Sequence, residues 1–318
     1  MGLFFYMNFL QEYVQHELGW HSRDVKKAYQ ALQSGYRAGE CVGYANIEQV
    51  QAYVFTRFPA TYQVCLKLIG KYFNDLKIHS VLDWGCGIGT ASLALSQHFE
   101  NLEYYLVEQD KQAKTYAIEF LTHFFPNNIV HHEEISKNID LSVFSYSLGE
   151  VQNWQKTLDS IWDKTKYLLI IEPGTTVHFK RLMIIRDYML AKEAKLWGPC
   201  CHTKLCPLQD NDWCHFAVNV PRSKEHRMLK GGERGFEQEA YSYLLFAKEP
   251  RNIDFGRVVA APRLHGGHID LKICTKDGAI STLTVGRSSG NYKTLKKCVW
   301  GDSLTHELLY KHLPKQLL

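Results

Sequence analysis

Four of the nine cysteines lie in one stretch of fifteen residues, CCHTKLCPLQDNDWC, at positions 200–214. Cys200, Cys206 and Cys214 are spaced more widely than the cysteine pairs of zinc knuckles, which are about two to four residues apart. Four thiolates hold an iron–sulfur cluster, and a proline next to a ligand cysteine, as after Cys206, recurs in ferredoxins. The spacing therefore favours an iron–sulfur cluster, with Cys274 in the run HIDLKICTK as the best fourth donor.

Two alternatives stay open for this stretch. Zinc could use His202 or His215 together with the cysteines, or the thiols could be small buried hydrophobic groups without a metal. Polar neighbours such as Lys204 and Asp212 make a plain apolar core the weaker alternative. Adjacent cysteines rarely ligate one tetrahedral centre, so we expect Cys201 to stay outside the ligand set.

A second motif lies in VLDWGCGIGTASLAL, where a strand-like run leads through glycines into a helix-like run. Gly85, Gly87 and Gly89 let the backbone approach a ligand without a Cβ in the way. Dinucleotide folds use G-x-G-x-x-G, whereas here Asp83 precedes the glycines in a D-x-G-x-G-x-G pattern. This pattern resembles the S-adenosylmethionine loop of class I methyltransferases, and we expect Asp83 to hold the amino group of that cofactor by a charged hydrogen bond.

A second acid follows the next strand-like run, at Glu108. A carboxylate in this position can accept hydrogen bonds from both ribose hydroxyls of a nucleoside cofactor, and it would repel the 2′-phosphate of NADP. We predict two further cofactor contacts, Cys86 within the glycine loop and Ser147 after the fourth strand. A glycine turn that holds no ligand is the less favoured alternative.

Catalytic groups are expected after the fourth strand, in the run FSYSLGE. This run lacks the [DN]-P-P-[FYW] element of amino-group methylases, and Cys86 lies in the wrong place for the cysteine nucleophile of carbon-5 cytosine methylation. Methyl transfer would then depend on holding the methyl donor close to a nitrogen or oxygen nucleophile. Glu150 and Glu172 are candidate proton acceptors, and a purely structural or cofactor-holding role is the alternative for both.

The arrangement of apolar residues predicts the scaffold that positions these motifs. From residue 78 onward, strand-like runs alternate with amphipathic helix-like runs, which predicts an α/β class I methyltransferase (Rossmann-like) fold. We assign residues 76–250 to this domain, with a metal-binding insertion at 197–216. Residues 1–75 show helical spacing of apolar residues, and residues 251–318 predict a small β-rich domain with HGG, KDG and SSG turns.

The excess of positive charge lies in the C-terminal part of the chain. Residues 197–318 hold 18 Lys and Arg against 12 Asp and Glu, whereas residues 1–196 hold 19 against 21. A basic region predicts a polyanionic partner, since Lys and Arg neutralise phosphates. An ordinary solvated basic surface is the alternative. The candidate RNA contacts are Arg263, Lys293, Lys296 and Lys297.

Export and membrane insertion are not expected. The chain has no run of eighteen apolar residues, and its N-terminus lacks a charged n-region before Glu12 and Glu17. Cysteines in a reducing compartment serve metal sites or stay free rather than forming a disulfide framework. We expect a protein of the bacterial cytoplasm that is monomeric when free.

Several runs together resemble one known family. They are TRFPATY, VLDWGCGIGTAS, FSYSLGE, IIEPGT, GPCCHTKLCPL, WCHF, KGGERGFEQEAYSYLLFAK, KICTKDG and NYKTLKKCVWGD. The chain resembles the mitochondrial small-ribosomal-subunit assembly factors, a family assigned as rRNA methyltransferases that includes methyltransferase-like protein 17 and bacterial relatives. The resemblance covers roughly residues 35–302.

The resemblance implies S-adenosylmethionine at the loop from Asp83 to Gly89, and association with small-subunit ribosomal RNA during assembly. It implies a 4Fe–4S cluster on the four cysteines Cys200, Cys206, Cys214 and Cys274. The implied activity is rRNA methylation. A non-catalytic assembly factor that uses cofactor and cluster structurally is the main alternative, and a protein or small-molecule methyltransferase is the weaker one.

Overall fold

The computed structural model describes residues 5–38, 43–132, 138–208, 212–251 and 256–305. The chain divides into two compact units. The first comprises Met1–Lys166 and Val218–Glu239, and the second comprises Tyr167–Ala217 and Ala240–Leu318. The three-part division that we inferred from the sequence stays a prediction.

Helices and strands are numbered here in chain order. The helices are α1 (Phe5–His16), α2 (Ser22–Ala38), α3 (Ile47–Thr56), α4 (Phe58–Tyr72), α5 (Thr90–His98), α6 (Lys111–Phe124), α7 (Trp154–Trp162), α8 (Thr176–Ala191), α9 (Lys224–Lys230) and α10 (Tyr292–Leu295). The strands are β1 (Ser80–Trp84), β2 (Glu103–Val107), β3 (Ile129–His131), β4 (Ile139–Ser145), β5 (Thr165–Pro173), β6 (Lys195–Gly198), β7 (Phe216–Pro221), β8 (Phe236–Ala247), β9 (Gly256–Val258), β10 (Arg263–Leu264), β11 (His268–Thr275), β12 (Ile280–Gly286) and β13 (Ser303–Leu304).

The N-terminal part of the first unit is helical, as its apolar spacing predicted. Asn46 caps α3 by accepting a hydrogen bond from the Gln49 amide. Pro59 ends no helix but stands in the first turn of α4, where its missing N–H costs nothing. Most of α3 and α4 is buried, so these helices form part of the core of this unit.

The remainder of the first unit is built on parallel strands in the order β3-β2-β1-β4. The pairs β1–β2, β1–β4 and β2–β3 are all parallel. Parallel neighbours need crossover connections, which α5 and α6 provide. β1 is buried along its first four residues, as expected for an apolar strand covered on both faces.

The second unit contains antiparallel pairs in the order β5-β8-β6. β5 pairs with β8 from Tyr167 opposite Ala247 to Pro173 opposite Tyr241. The β6–β8 ladder has an irregularity between Leu196 and Gly198, directly before the cysteine stretch. The regular strand pairing is thus interrupted just before the segment that carries Cys200.

A separate five-stranded sheet in the second unit has the order β10-β11-β9-β13, with β12 paired to β11. Ile269, Leu271 and Ile273 alternate along β11 and are buried, together with Leu283 and Val285 of β12. This alternation follows from the two-residue period of a strand. The predicted β-rich C-terminal region is therefore confirmed for its described strands.

Sequence reasoning placed the main alternation of strands and helices correctly from β1 to α8. It missed α9, a short helix that Ser223 caps at its N-terminus and Gly231 ends in the left-handed region. No helix among the described residues is long and apolar enough to cross a membrane.

Candidate cofactor and metal sites

Asp83 lies at the carboxyl end of β1 with its side chain fully buried. Its Oδ2 accepts a 2.6 Å hydrogen bond from Ser92 Oγ, and its Oδ1 is buried without a hydrogen-bond partner. Burial raises the pKa of Asp83 to about 6, against the lowering effect of the Ser92 bond. A buried acceptor of this kind fits a ligand that supplies an amino group.

The three glycines after Asp83 all adopt positive φ angles, of 71° at Gly85, 53° at Gly87 and 85° at Gly89. A Cβ on Gly85 would lie 2.4 Å from the Cβ of Ser147, so the loop packs directly against that residue. A Cβ on Gly87 would meet nothing within 4 Å. The open flank of the loop is therefore at Gly87, where a ligand could approach the backbone.

Gly89 also begins α5, in a left-handed conformation and without a side-chain cap. The first amide groups of a helix have no partner inside the helix and carry partial positive charge. A carboxylate, such as that of the methionine part of S-adenosylmethionine, is favoured at such a terminus.

Glu108 holds the glycine loop to the end of β2. Its Oε2 accepts a 2.8 Å hydrogen bond from the Gly87 amide. Its Oε1 accepts from the amides of Gln109 at 2.8 Å and Asp110 at 3.0 Å. The structure thus brings Asp83, Ser147 and Glu108 around one loop and assigns Glu108 a loop-ordering role that the sequence did not indicate. Their contacts with a cofactor stay a prediction.

Cys86 is buried within the same loop. Burial, aided by Asp83 and Glu108, raises its pKa well above the ordinary thiol value. A thiol that stays protonated is a poor nucleophile, so its environment agrees with the exclusion of Cys86 from nucleophilic catalysis.

An ion pair that sequence reasoning missed lies beyond the end of β4. Arg57 Nη1 is 2.9 Å from Glu239 Oε2, and Arg57 Nη2 is 2.8 Å from Glu239 Oε1. The guanidinium also lies 5.1 Å from the ring centre of Tyr146. Tyr146 has a φ of 59°, unusual for a bulky residue, directly before the predicted cofactor contact Ser147. The bidentate pair and the cation–π contact hold this strained corner in place.

The two candidate proton acceptors lie in different surroundings. Glu150 is exposed in a one-turn 3₁₀ helix that follows β4. Glu172 is 1% exposed near the end of β5, and its Oε2 is 4.0 Å from His178 Nε2. A catalytic role for either residue stays a prediction.

The four predicted cluster ligands all lie within the second unit. Cys274 is buried and Cys200, Cys206 and Cys214 are half-buried. The thiols of Cys200 and Cys206 raise the pKa of Cys214, after the larger effect of its burial. Cys200 and Cys214 likewise add to the raised pKa of Cys274, whose largest cause is a hydrogen bond with Cys201. Such mutual effects arise only between groups that lie close together.

Two buried arginines hold the backbone of the cysteine stretch. Arg186 Nη2 donates to the carbonyl of His202 at 2.9 Å and to that of Lys204 at 2.8 Å. Arg257 Nε donates to the Pro199 carbonyl at 2.7 Å. The charge of Arg186 lowers the pKa of Cys200, although burial raises it overall to about 11. Arg186 Nε is buried without a hydrogen-bond partner, which leaves a donor beside the thiols.

Cys201 contacts Cys274 through its thiol, and its exclusion from the ligand set stays a prediction. Its Sγ donates to the backbone carbonyl of Cys274 at 3.2 Å, and its side chain packs with Val259 and Cys274. His202 is also buried, with Nε2 3.4 Å from the Cys274 sulfur. The thiol of Cys201 therefore supports the backbone that presents Cys274.

The sequence runs WCHF and VWGD meet in the second unit. The His215 ring lies 4.9 Å from Trp213 and 4.0 Å from Trp300. A Cβ on Gly301, which has a φ of 94°, would lie 2.5 Å from the Phe216 ring. Ser242 Oγ donates to the Cys214 carbonyl at 2.9 Å, which ties this ligand segment to β8.

The candidate RNA contacts are all exposed: Arg263 on β10, Lys293 in α10, and Lys296 and Lys297 after it. Their exposure is compatible with a polyanionic partner.

Four parallel strands have the order β3-β2-β1-β4. An acid near the end of the first strand in chain order leads into three glycines, and another acid follows the second strand. These features define the class of fold. The fold is Rossmann-like, as in class I methyltransferases.

The chain belongs to the Rsm22 family, described as mitochondrial small ribosomal subunit Rsm22, whose family model matches residues 47–305. No curated protein matches the sequence at a significant level.

Solved structures with similar folds share little sequence. A Pyrococcus horikoshii protein assigned as an RNA methyltransferase is 15% identical, with a TM-score of 0.40 over 70% of this chain and 98% of that one. The precorrin-6y C5,15-methyltransferase of Geobacter metallireducens is 14% identical, with a TM-score of 0.40 over 59% and 87%. The magnesium protoporphyrin IX methyltransferase of Synechocystis is 10% identical, with a TM-score of 0.39 over 76% and 99%.

Proposed function

We propose that this protein is an S-adenosylmethionine-dependent methyltransferase-like factor that binds small-subunit ribosomal RNA during assembly and carries a 4Fe–4S cluster. Membership of a family described by the small ribosomal subunit supports the ribosomal part of this proposal. The main support for the cofactor is the buried Oδ1 of Asp83, which has no hydrogen-bond partner and lies beside a glycine loop with an open flank.

S-adenosylmethionine would supply an electrophilic methyl group on a sulfonium centre. Asp83 would accept a hydrogen bond from the amino group, and the first amides of α5 would face the carboxylate. Glu108 orders the loop through Gly87 and retains lone pairs for the ribose hydroxyls. These contacts bind and orient the cofactor, so they serve both an enzyme and a non-catalytic factor.

A 4Fe–4S cluster would be held by Cys200, Cys206, Cys214 and Cys274. The proximity of the four thiols and the spare donor of Arg186 support this assignment. Four thiolates give the site a negative charge, which the guanidinium groups of Arg186 and Arg257 would offset. The cluster, when bound, would tie the stretch after β6 to β11 and would stabilise the folded protein.

The decisive experiment for the enzymatic function is methyl transfer from labelled S-adenosylmethionine to small-subunit particles. We expect label in the rRNA with the wild-type protein and none with Asp83→Ala. Label in the protein fraction alone would instead favour a protein methyltransferase. Binding to rRNA that is equal in both variants, with no transfer in either, would favour the non-catalytic assembly factor.

Cofactor binding is tested separately by calorimetric titration of both proteins with S-adenosylhomocysteine. Asp83→Ala should weaken binding by about tenfold or more, since the lost interaction involves a charged hydrogen bond. Equal affinity in the two proteins would refute the assigned cofactor site.

Metal analysis after anaerobic purification tests the cluster. We expect about four iron and four sulfide per chain, as the cluster type requires. A single zinc per chain without sulfide would contradict the cluster and leave a zinc site in its place.

A further inference from the structure

The hairpin formed by β10 and β11 places three potential metal ligands on one face. Leu264 is opposite Ile269, and the amide of His265 donates to the carbonyl of His268 at 2.9 Å. His265 and His268 therefore face each other across the Gly266-Gly267 turn. Opposed residues of a hairpin project to the same side of the sheet, and these two rings stack with centroids 4.3 Å apart.

Asp270 joins the two histidines because it follows His268 by two residues on β11, and alternate residues of a strand share a face. Its Oδ2 is 3.0 Å from His265 Nε2 and 4.0 Å from His268 Nε2. One ligand atom from each of the three side chains lies within 4.8 Å of the other two.

The carboxylate is oriented by a neighbouring strand. Thr284 is paired with Asp270 across β12, and its hydroxyl donates a 2.6 Å hydrogen bond to Oδ1. This bond occupies one carboxylate oxygen and leaves the other directed towards the imidazoles. Metal ligands in proteins are commonly fixed in this way by an outer hydrogen bond.

We propose that this hairpin binds a zinc ion through His265 Nε2, His268 Nε2 and Asp270 Oδ2. Two imidazole nitrogens and one carboxylate oxygen are ligands that zinc prefers, and three protein ligands leave one position of a tetrahedral site open. The three residues are partly exposed, so solvent or a bound partner can supply the fourth ligand.

The zinc site is distinct from the cysteine site. His268, Asp270, Lys272 and Cys274 alternate along the same face of β11. Cys274 lies four positions after Asp270 on the strand, a distance of about 13 Å along the backbone. Between them, Lys272 Nζ makes a 2.6 Å ion pair with Asp212 Oδ2. One strand would thus carry a ligand of each site, at opposite ends.

The test is titration of the full-length, anaerobically purified protein with zinc, followed by competition with a chromophoric chelator. We expect one zinc per wild-type chain beyond the metal already bound. The affinity should fall by about tenfold or more in His265→Ala and His268→Ala, and measurably in Thr284→Val, which removes only the orienting hydroxyl. Circular dichroism verifies that each variant is folded.

His131→Ala is the matched control, because His131 Nε2 lies 2.9 Å from Glu103 Oε2 and no third ligand joins this pair among the residues that the structure describes. It should bind zinc as the wild type does. Cobalt then reports the donor type, since thiolate ligands give sulfur-to-cobalt charge-transfer bands and nitrogen and oxygen ligands do not. Zinc binding that persists in the His265→Ala/His268→Ala double variant would overturn the proposal. So would cobalt spectra in which thiolate bands account for all the added metal.

Discussion

Ser92 donates a 2.6 Å hydrogen bond to one oxygen of Asp83 and leaves the other oxygen of that fully buried carboxyl without a partner. A carboxylate buried with half of its acceptors unused is costly to the folded protein. The unpaired oxygen of Asp83 therefore lowers the stability of the folded protein, and a bound amino group that donates a hydrogen bond to it would restore that stability.

The first prediction concerns the pH dependence of this cost. The pKa of Asp83 is raised from 3.8 to about 6 in the folded protein, so the folded state binds this proton more tightly than the unfolded chain does. Its contribution to stability is greatest below pH 3.8 and is lost as the pH rises through 6. The loss is at most about 3 kcal/mol.

Asp83→Asn keeps an acceptor for Ser92 but does not titrate. The free energy of unfolding of the variant, minus that of the wild type, should therefore rise between about pH 4 and pH 6. Urea denaturation at a series of pH values measures the difference. Parallel pH profiles for the two proteins would show that Asp83 does not titrate in this range.

The second prediction separates backbone strain from ligand binding at Gly87. Gly87→Ala should destabilise the protein by about 1–2 kcal/mol, because an L-residue is strained at a φ of 53°. The new methyl group would occupy the open flank and should weaken S-adenosylhomocysteine binding by about tenfold or more.

Gly19→Ala is the control, since Gly19 also has a positive φ, of 71°, and open space around its Cβ position. It should cost similar stability and leave cofactor affinity unchanged. Equal loss of affinity in both variants would attribute the Gly87 effect to general destabilisation.

The third prediction distinguishes the adjacent cysteines. Cys200→Ser should lose the iron and sulfide of the purified protein, because a cluster ligand is removed. Cys201→Ala should retain both, since the Cys201 thiol bonds to a backbone carbonyl. Iron retained in Cys200→Ser and lost in Cys201→Ala would reverse the assignment of this pair.

The fourth prediction addresses the clamp made by Arg186. Arg186→Met would leave the carbonyls of His202 and Lys204 without their buried donor, at a cost of about 2–4 kcal/mol. Chemical denaturation measures the loss. Lys180→Met on the same helix is the control, and because Lys180 is exposed it should change stability by no more than about 0.5 kcal/mol. Similar losses of stability in both variants would show that the hydrogen bonds of Arg186 do not stabilise the protein.

The fifth prediction concerns RNA affinity. Substitution of Lys293, Lys296 and Lys297 by alanine should weaken binding to a small-subunit rRNA fragment and flatten its salt dependence. The slope of log K against log salt should fall by about 0.7–0.9 for each phosphate that the variant no longer neutralises. A triple alanine control at the exposed Lys26, Lys111 and Lys156 changes the net charge equally. An equal effect of both triple variants would indicate attraction by net charge alone.

Much of the fold between β1 and α8 could be predicted from local sequence. Apolar runs and amphipathic periods indicated β1 to α8 in the right order, because period and turn chemistry act over a few residues. The loop from Asp83 to Gly89 was equally readable, since its acid, glycines and helix start are neighbours in the chain. The site at Arg57 was not, because its partner Glu239 is 182 residues away.

The metal sites divide in the same way. The sequence by itself determined that Cys200, Cys206 and Cys214 lie within fifteen residues of the chain. It also predicted the glycine turn of HGGHID, but not that the two histidines and the aspartate of this run form a group of metal ligands. Only the tertiary structure decided that Arg186 clamps the cysteine stretch and that Cys201 faces a carbonyl. It also placed Cys274 by pairing it with Arg257 and Ile280. Local patterns set the conformation of short segments, whereas contacts between distant segments depend on strand register and on the packing of the whole core.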